Sequence, residues 1–193
     1  MSPASIRPSR SAVQTTILLA AALLLYLCML LLTLPHLLRL SDGSPIPDLM
    51  PGGYTARQLH ELFERLGEQG RAFYLGVQLP LDTAFPSLLA IACARADLGL
   101  LHRLGVRPAP RRALLALPIA AGLLDCLENL CIAAALLRHP APPGALAAVG
   151  STATVLKSPL VSCSLALLLV LALLTALRCA RSRRKTRASD EAR

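Results

Sequence analysis

The sequence predicts an all-α fold: an integral membrane bundle of four helices carrying a short external amphipathic helix. Three observations predict it. Of 193 residues, 54% are hydrophobic and only 16% charged, with a mean hydropathy of +0.57, a balance that soluble domains seldom reach. Four apolar runs, at about 12–38, 72–94, 113–137 and 146–177, each exceed the roughly 20 residues needed to cross a hydrocarbon core of about 30 Å. The basic residues gather at the ends of those runs rather than on a polar domain. No polar linker divides the chain, so residues 1–193 are expected to form a single membrane domain.

The first run follows Arg7 and Arg10 and contains Ala20, Ala21 and Ala22, as a signal peptide would. It stays apolar through Leu34, well past a usual signal core, so a retained spanning helix is the expected form. The external loop, 39–71, opens with Asp42-Gly43-Ser44-Pro45-Ile46-Pro47, a composition that opposes regular structure. A short helix should follow. Thr55 and Gln58 have the spacing of a capping box, and Leu59, Leu62, Phe63 and Leu66 recur at i, i+3, i+4 and i+7. Arg57, Glu61, Glu64 and Arg65 form the opposite face, and Gly67 or Gly70 supplies a stop. Such a helix lies in the membrane interface or caps the outer mouth of the bundle, where Tyr54, Glu68, Arg71 and Tyr74 are candidate lining residues.

The remaining spans are set by their flanking charges, and those charges also set the orientation. The amino-terminal tail, the loop from Arg95 to Arg112 and the basic tail 178–193 together hold 14 Arg and Lys residues, against five on the other side. Both termini are therefore expected on the cytoplasmic side, and the Arg- and Ala-rich composition suggests a bacterial plasma membrane. The net charge of +9 does not point to nucleic acid, because the chain has three Tyr, three Phe and no Trp to form stacking platforms. Five of the six cysteines fall inside spans, and Cys126 and Cys131 have neither redox nor zinc spacing. His36, His60, His102 and His139 are scattered along the chain, so no metal site is expected. No Gly-rich nucleotide loop or nucleophile elbow occurs, and no cofactor is implied.

The informative residues are the charges within the spans: Asp82 in the second, Asp125 and Glu128 with Asn129 in the third, and Lys157 in the fourth. A central Asp or Lys costs on the order of 2.5–3.5 kcal/mol on insertion scales, so each must face protein, water or a partner. Counted from the external ends of the spans, these residues lie about 10 to 13 positions deep, which at 1.5 Å per residue makes one layer roughly 15–20 Å below the outer boundary. Helical phase agrees. Pro118, Ala121, Gly122, Asp125, Glu128, Asn129 and Ile132 share one stripe of the third helix. Ser151, Thr154, Ser158 and Ser162 form a polar stripe on the fourth, with Lys157 at its edge. Three carboxylates and one ammonium sum to −2, so at least one carboxyl is expected to carry a proton while another pairs with Lys157. The Leu-rich first helix is expected to face lipid or a second copy.

The run Gly53-Tyr54-Thr55, then Leu66-Gly67-Glu68-x-Gly70-Arg71-x-x-Tyr74, Leu81-Asp82-x-x-Phe85-Pro86, Asp125-x-x-Glu128-Asn129 and Lys157, resembles a family of small four-helix integral membrane proteins of unknown function. The resemblance covers about Asp48 to Lys157 and implies an architecture without an activity. Far more loosely, the chain resembles four-helix sterol-isomerase-like membrane domains; the histidine expected within a span is absent, and isomerase chemistry is not carried over. Three functions fit the polar layer. It binds or moves a small or lipidic ligand, it docks a membrane-protein partner or a second copy as an assembly element, or it acts as an enzyme on a lipid or isoprenoid through paired carboxylates.

Overall fold

In the computed structural model, residues 10–191 are described; Arg7 and Arg193, counted above for the orientation, lie outside them, as do the side chains of residue 183 and residues 185–191. The described residues are all-α, with no strand. Helix α1 spans Arg10–Leu40, α2 Ala56–Phe73, α3 Leu79–Arg103, α4 Pro108–Leu136 and α5 Gly144–Glu191. Four stretches are long and apolar enough to cross a membrane, α2 and α3 counting together as one. Helix α4 is the most buried and packs most extensively on α5 and then on α3, while α1 lies against the outside of α3. These four helices fit an integral membrane protein, and their lipid-type surface is plain on α1, where Leu23, Leu24, Leu31 and Leu32 are exposed.

Proline accounts for the two irregular turns. A helical proline lacks the N–H for its i→i−4 bond, and its ring pushes on the carbonyl four residues back. Ahead of Pro35 and Pro80 the helix widens into single π-turns, Met29–Thr33 and Tyr74–Gln78, which take up that conflict without ending the helix. The second π-turn joins α2 to α3. Close packing follows from small residues: a Cβ on Gly122 of α4 would stand 2.9 Å from Ala90 Cβ of α3, so only glycine permits this approach.

The connection from α1 to α2 is more ordered than its composition suggests. Helix α1 closes with paired bonds from Gly43 N to Leu38 O (2.8 Å) and from Asp42 N to Arg39 O (3.3 Å), Asp42 taking the left-handed conformation. The buried Ser41 hydroxyl donates within this turn to Leu38 O or Ser44 O, and fully buried Ile46 turns the chain back into the bundle. A single 3₁₀ turn, Pro47–Leu49, ends the descent. Helix α2 then begins at the Thr55–Gln58 capping box and buries Leu59, Leu62, Phe63 and Leu66. That face forms one core with Leu37, Ile46, Tyr54, Tyr74, Ile132, Ala135 and Leu136, so α2 is a cap bound to one end of the bundle. The helix breaks at Gly67 (φ 60°, ψ −171°), and Arg71 Nη1 donates back to the carbonyl of Phe63 at 2.9 Å, satisfying a group the break orphans.

Boundaries differ from the sequence reading at the other end. Helix α3 continues past Ala94 to Arg103, which places Arg95 and Asp97 on a helix rather than in a loop. Amphipathic tails of this kind lack the uninterrupted apolar run used to mark a span, yet their inner face, here Cys93, Asp97 and Leu101, stays buried. The tail 178–193 is likewise helical as far as Glu191.

Candidate functional site

The site is organised around Lys157. Helix α5 projects its ammonium inward, and an ammonium has three donors. Three carboxylates surround it: Nζ is 2.6 Å from Asp125 Oδ1, 2.5 Å from Glu128 Oε2 and 3.1 Å from Asp48 Oδ1. Asp125 and Glu128 lie on one stripe of α4, where Pro118, Ala121, Gly122, Asn129 and Ile132 are also buried. Asp48 comes from the 3₁₀ turn between α1 and α2. Neighbouring groups fix the carboxylates. Thr154 Oγ1 of α5 donates to Glu128 Oε1 at 2.6 Å, and Asn129 Nδ2 donates to Asp125 Oδ2 at 3.2 Å. Lys157 and Asp125 are each under 10% exposed and Glu128 is fully buried, so the low surrounding polarity strengthens the attraction that offsets desolvation.

Asp82 belongs to the same chamber without touching the ammonium. One turn after the π-turn of α3, its Oδ2 accepts from Gln78 Nε2 at 2.9 Å. Asp48, Asp82, Asp125 and Lys157 together line a cavity of about 310 Å³ whose other lining residues are Tyr26, Met29, Leu30, Leu34, Leu49, Phe85 and Pro86. Helix α1 therefore walls the chamber as well as facing outward, its Tyr26 ring lying 5.4 Å from that of Phe85. A smaller apolar cavity of about 40 Å³, between α3, α4 and α5, also reaches Asp125 and Pro86. Several buried acceptors at this level, Asp48 Oδ2, Gln78 Oε1 and Asn129 Oδ1, have no hydrogen-bond donor among the described residues.

The Gly53-Tyr54-Thr55 segment positions the chain above this layer. Gly53 has φ 91°, and a Cβ there would fall 2.6 Å from Ser151 Oγ, so glycine is required both by conformation and by contact. The next residue, Tyr54, donates its backbone N–H to that same Ser151 Oγ at 2.8 Å, and its ring lies over Gly150, where any side chain would displace it. Burial, with the nearby Glu128 charge, pushes the Tyr54 phenol well above its ordinary range, so it stays a neutral hydroxyl.

Of the residues singled out in the sequence, Asp125, Glu128, Asn129 and Lys157 are brought into direct contact, and Asp82 joins them through the shared cavity. The four mouth candidates separate. Tyr54 and Tyr74 are buried beneath the cap, Arg71 is spent on the helix break, and Glu68 is exposed beyond it. Asp48 was not foreseen. It sits in a loop by every local signal, and only its neighbours Ile46 and Pro47, apolar residues in an otherwise polar stretch, mark that the loop dives inward. Asp48, Asp125 and Glu128 also have oxygens within 4.8 Å of one another, a spacing that suits a cation. The Lys157 ammonium lies within ion-pair distance of all three and answers that need from within the chain. Comparison with family models, with curated proteins and with solved structures finds no match for this chain.

Proposed function

We propose that this chain is a multi-pass protein of a bacterial plasma membrane, with both termini cytoplasmic, that binds or moves a small or lipidic ligand at its intramembrane polar site. The observation that carries the reading is the chamber of about 310 Å³, lined both by the polar Asp48, Asp82, Asp125 and Lys157 and by apolar residues such as Met29, Leu30, Leu34 and Leu49. That volume lies at the lower end of the roughly 300–1,000 Å³ typical of small-molecule sites. Four carboxylates, Asp48, Asp82, Asp125 and Glu128, gather about one ammonium that pairs with three of them, and Asp48 Oδ2, Gln78 Oε1 and Asn129 Oδ1 are buried acceptors without a donor, beside the unpartnered hydroxyls of Tyr54 and Tyr74. A head group that is cationic or rich in hydrogen-bond donors, attached to an apolar body, complements such a lining. Movement is favoured over static binding by one feature: Asp125 and Pro86 border both the chamber and the smaller cavity on the far side of the layer.

Native mass spectrometry of the protein released from mild detergent tests this reading. Wild type is compared with Asp82→Asn, which alters the chamber without uncovering Lys157, with Lys157→Met, and with Asp97→Asn, a buried acid outside the chamber lining. A stoichiometric ligand on wild type and Asp97→Asn that is missing from the other two is the expected result. A ligand-free wild type, with the variants changing only oligomeric state, would transfer the polar layer to assembly.

A further inference from the structure

The end of the bundle opposite the cap carries a basic hollow. Ser11, Thr15 and Thr16 of α1 and Arg95, Gly99 and Arg103 of α3 line a cavity of about 270 Å³. Steps of four residues, from Ser11 to Thr15 and from Arg95 through Gly99 to Arg103, keep them on one stripe of each helix, where Ala12 and Ala96 add little bulk. A Cβ on Gly99 would meet nothing within 4 Å, so packing does not demand the glycine and the hollow stays open beside it. We propose that this hollow binds the phosphate head group of an anionic phospholipid, at a site separate from the chamber around Lys157.

The two arginines bring positive charge that the chain does not neutralise, since neither pairs with a carboxylate among the described residues. Arg95 Nη2 donates across to Gln14 Oε1 of α1 at 2.8 Å, a neutral partner that steadies the guanidinium and leaves its charge uncompensated, and Arg95 Nε is buried without an acceptor. Arg178 of α5 adds to the positive potential at this end, its Nη1 donating at 2.9 Å to the carbonyl of Leu104, one residue beyond Arg103. A guanidinium fork suits phosphate oxygens, which accept two parallel N–H bonds from it. The Thr15 and Thr16 hydroxyls donate to the carbonyls of Ser11 and Ala12 at 3.0 Å each, which leaves their oxygens as acceptors for a hydroxylated head group. A lipid is favoured over a soluble phosphoester by the exposed apolar residues at the same level, Val13 and Ile17 of α1 and Leu98 of α3, a surface suited to acyl chains. Basic pockets between membrane helices hold anionic head groups on this physical basis.

Full-length protein in mild detergent is titrated with phosphatidylglycerol or with phosphatidylcholine, and bound lipid is counted by native mass spectrometry for wild type, Gly99→Leu, Arg103→Gln, Arg112→Gln and Asp82→Asn. Gly99→Leu keeps every charge and fills the hollow. Arg103→Gln keeps the space and removes a charge from an exposed side chain, so it remains informative should Gly99→Leu unfold. Arg112→Gln removes an exposed charge at the same end but outside the lining. Wild type is expected to hold one phosphatidylglycerol in preference to phosphatidylcholine, with binding weakened at least about fivefold in Gly99→Leu and Arg103→Gln, less in Arg112→Gln and not at all in Asp82→Asn. Equal retention of both lipids by wild type would overturn the proposal. So would wild-type binding of phosphatidylglycerol by a folded Gly99→Leu, the mark of diffuse attraction to the basic end. Loss confined to Asp82→Asn would place the lipid in the chamber and overturn it too. Glycerol phosphate titrated alone by calorimetry should bind far more weakly than the lipid, and equal affinity would make the hollow a site for soluble phosphoesters instead.

Discussion

Asp125 and Asp97 are both aspartates on inner faces of long helices, both shielded from their surroundings, and they are held in opposite ways. Asp125 accepts from Lys157 at 2.6 Å and from Asn129 at 3.2 Å, within a layer that α3, α4, α5 and the 3₁₀ turn build together. Asp97 is fully buried on α3, yet neither of its carboxyl oxygens has a hydrogen-bond partner among the described residues. Burying a charge costs several kcal/mol unless geometry and hydrogen bonds compensate it. The first position is therefore a constructed one, where Lys157 of α5 and Asn129 of α4 both engage the carboxylate, and removing one partner exposes the others. The second lies on the buried face of α3, between the buried Cys93 and Leu101.

The largest effect expected from breaking this contrast comes from Lys157→Met. It leaves Asp48, Asp125 and Glu128 facing one another without their cation. Losing one member of a buried ion pair typically costs about 3–5 kcal/mol, read as a fall in thermal midpoint in detergent. Adding Asp125→Asn to that variant should restore part of the loss, because the two substitutions share one interaction and a coupling of about 0.5–3 kcal/mol is usual for such neighbours. Strict additivity would mean that the ammonium is not what holds the layer together.

A smaller loss is expected from Thr154→Val, which keeps the shape of the side chain and deletes the donor to Glu128 Oε1 at 2.6 Å. Hydrogen bonds to charged groups contribute about 1.5–3 kcal/mol, and the same unfolding measurement should show a drop of that size. Smaller again is Thr55→Ala at the start of α2, where the capping box contributes about 1 kcal/mol. That change acts on the cap alone. Amide exchange should quicken across α2 while the helices around Lys157 keep their protection, and a uniform loss over the whole chain would show that cap and layer open as one unit.

The legibility of these regions in the sequence follows the range of the interactions that make them. The cap is local: Thr55 with Gln58, the spacing of Leu59, Leu62, Phe63 and Leu66, and the break at Gly67 are all written within about one dozen residues. The layer was legible as well, because a charge in an apolar run is costly anywhere, and depth counting brings Asp125, Glu128 and Lys157 to one level. Asp48 and the contact of His139 with Glu64 at the cap were not. Each depends on how a connection folds back, Asp48 through the turn after α1 and His139 through the end of α4, and no helical period carries that information. Asp97 was missed for a different reason. The apolar run weakens after Ala94, and a helix whose outer face turns polar as it leaves the bundle reads as a loop when only mean hydropathy is followed.

Asp97→Asn is the substitution expected to change least, and it tests the contrast most directly. An amide has nearly the shape of a carboxyl group, and at Asp125 the exchange removes one arm of a three-way ion pair. Among the described residues Asp97 has no counter-charge to abandon, since neither oxygen is engaged and Arg95, two residues earlier, directs its guanidinium to Gln14 Oε1 at 2.8 Å. The expected change in unfolding free energy is within about 0.5–1 kcal/mol, of either sign, because a neutral amide is cheaper to desolvate than a carboxylate but brings its own unpaired N–H groups. Parallel thermal unfolding of Asp97→Asn and Asp125→Asn in the same detergent measures the difference between the two sites. If Asp97→Asn matched the loss seen for Asp125→Asn, Asp97 would have to be as firmly partnered as the carboxylates around Lys157, and the distinction between a constructed acidic position and one carried by its neighbours would fail.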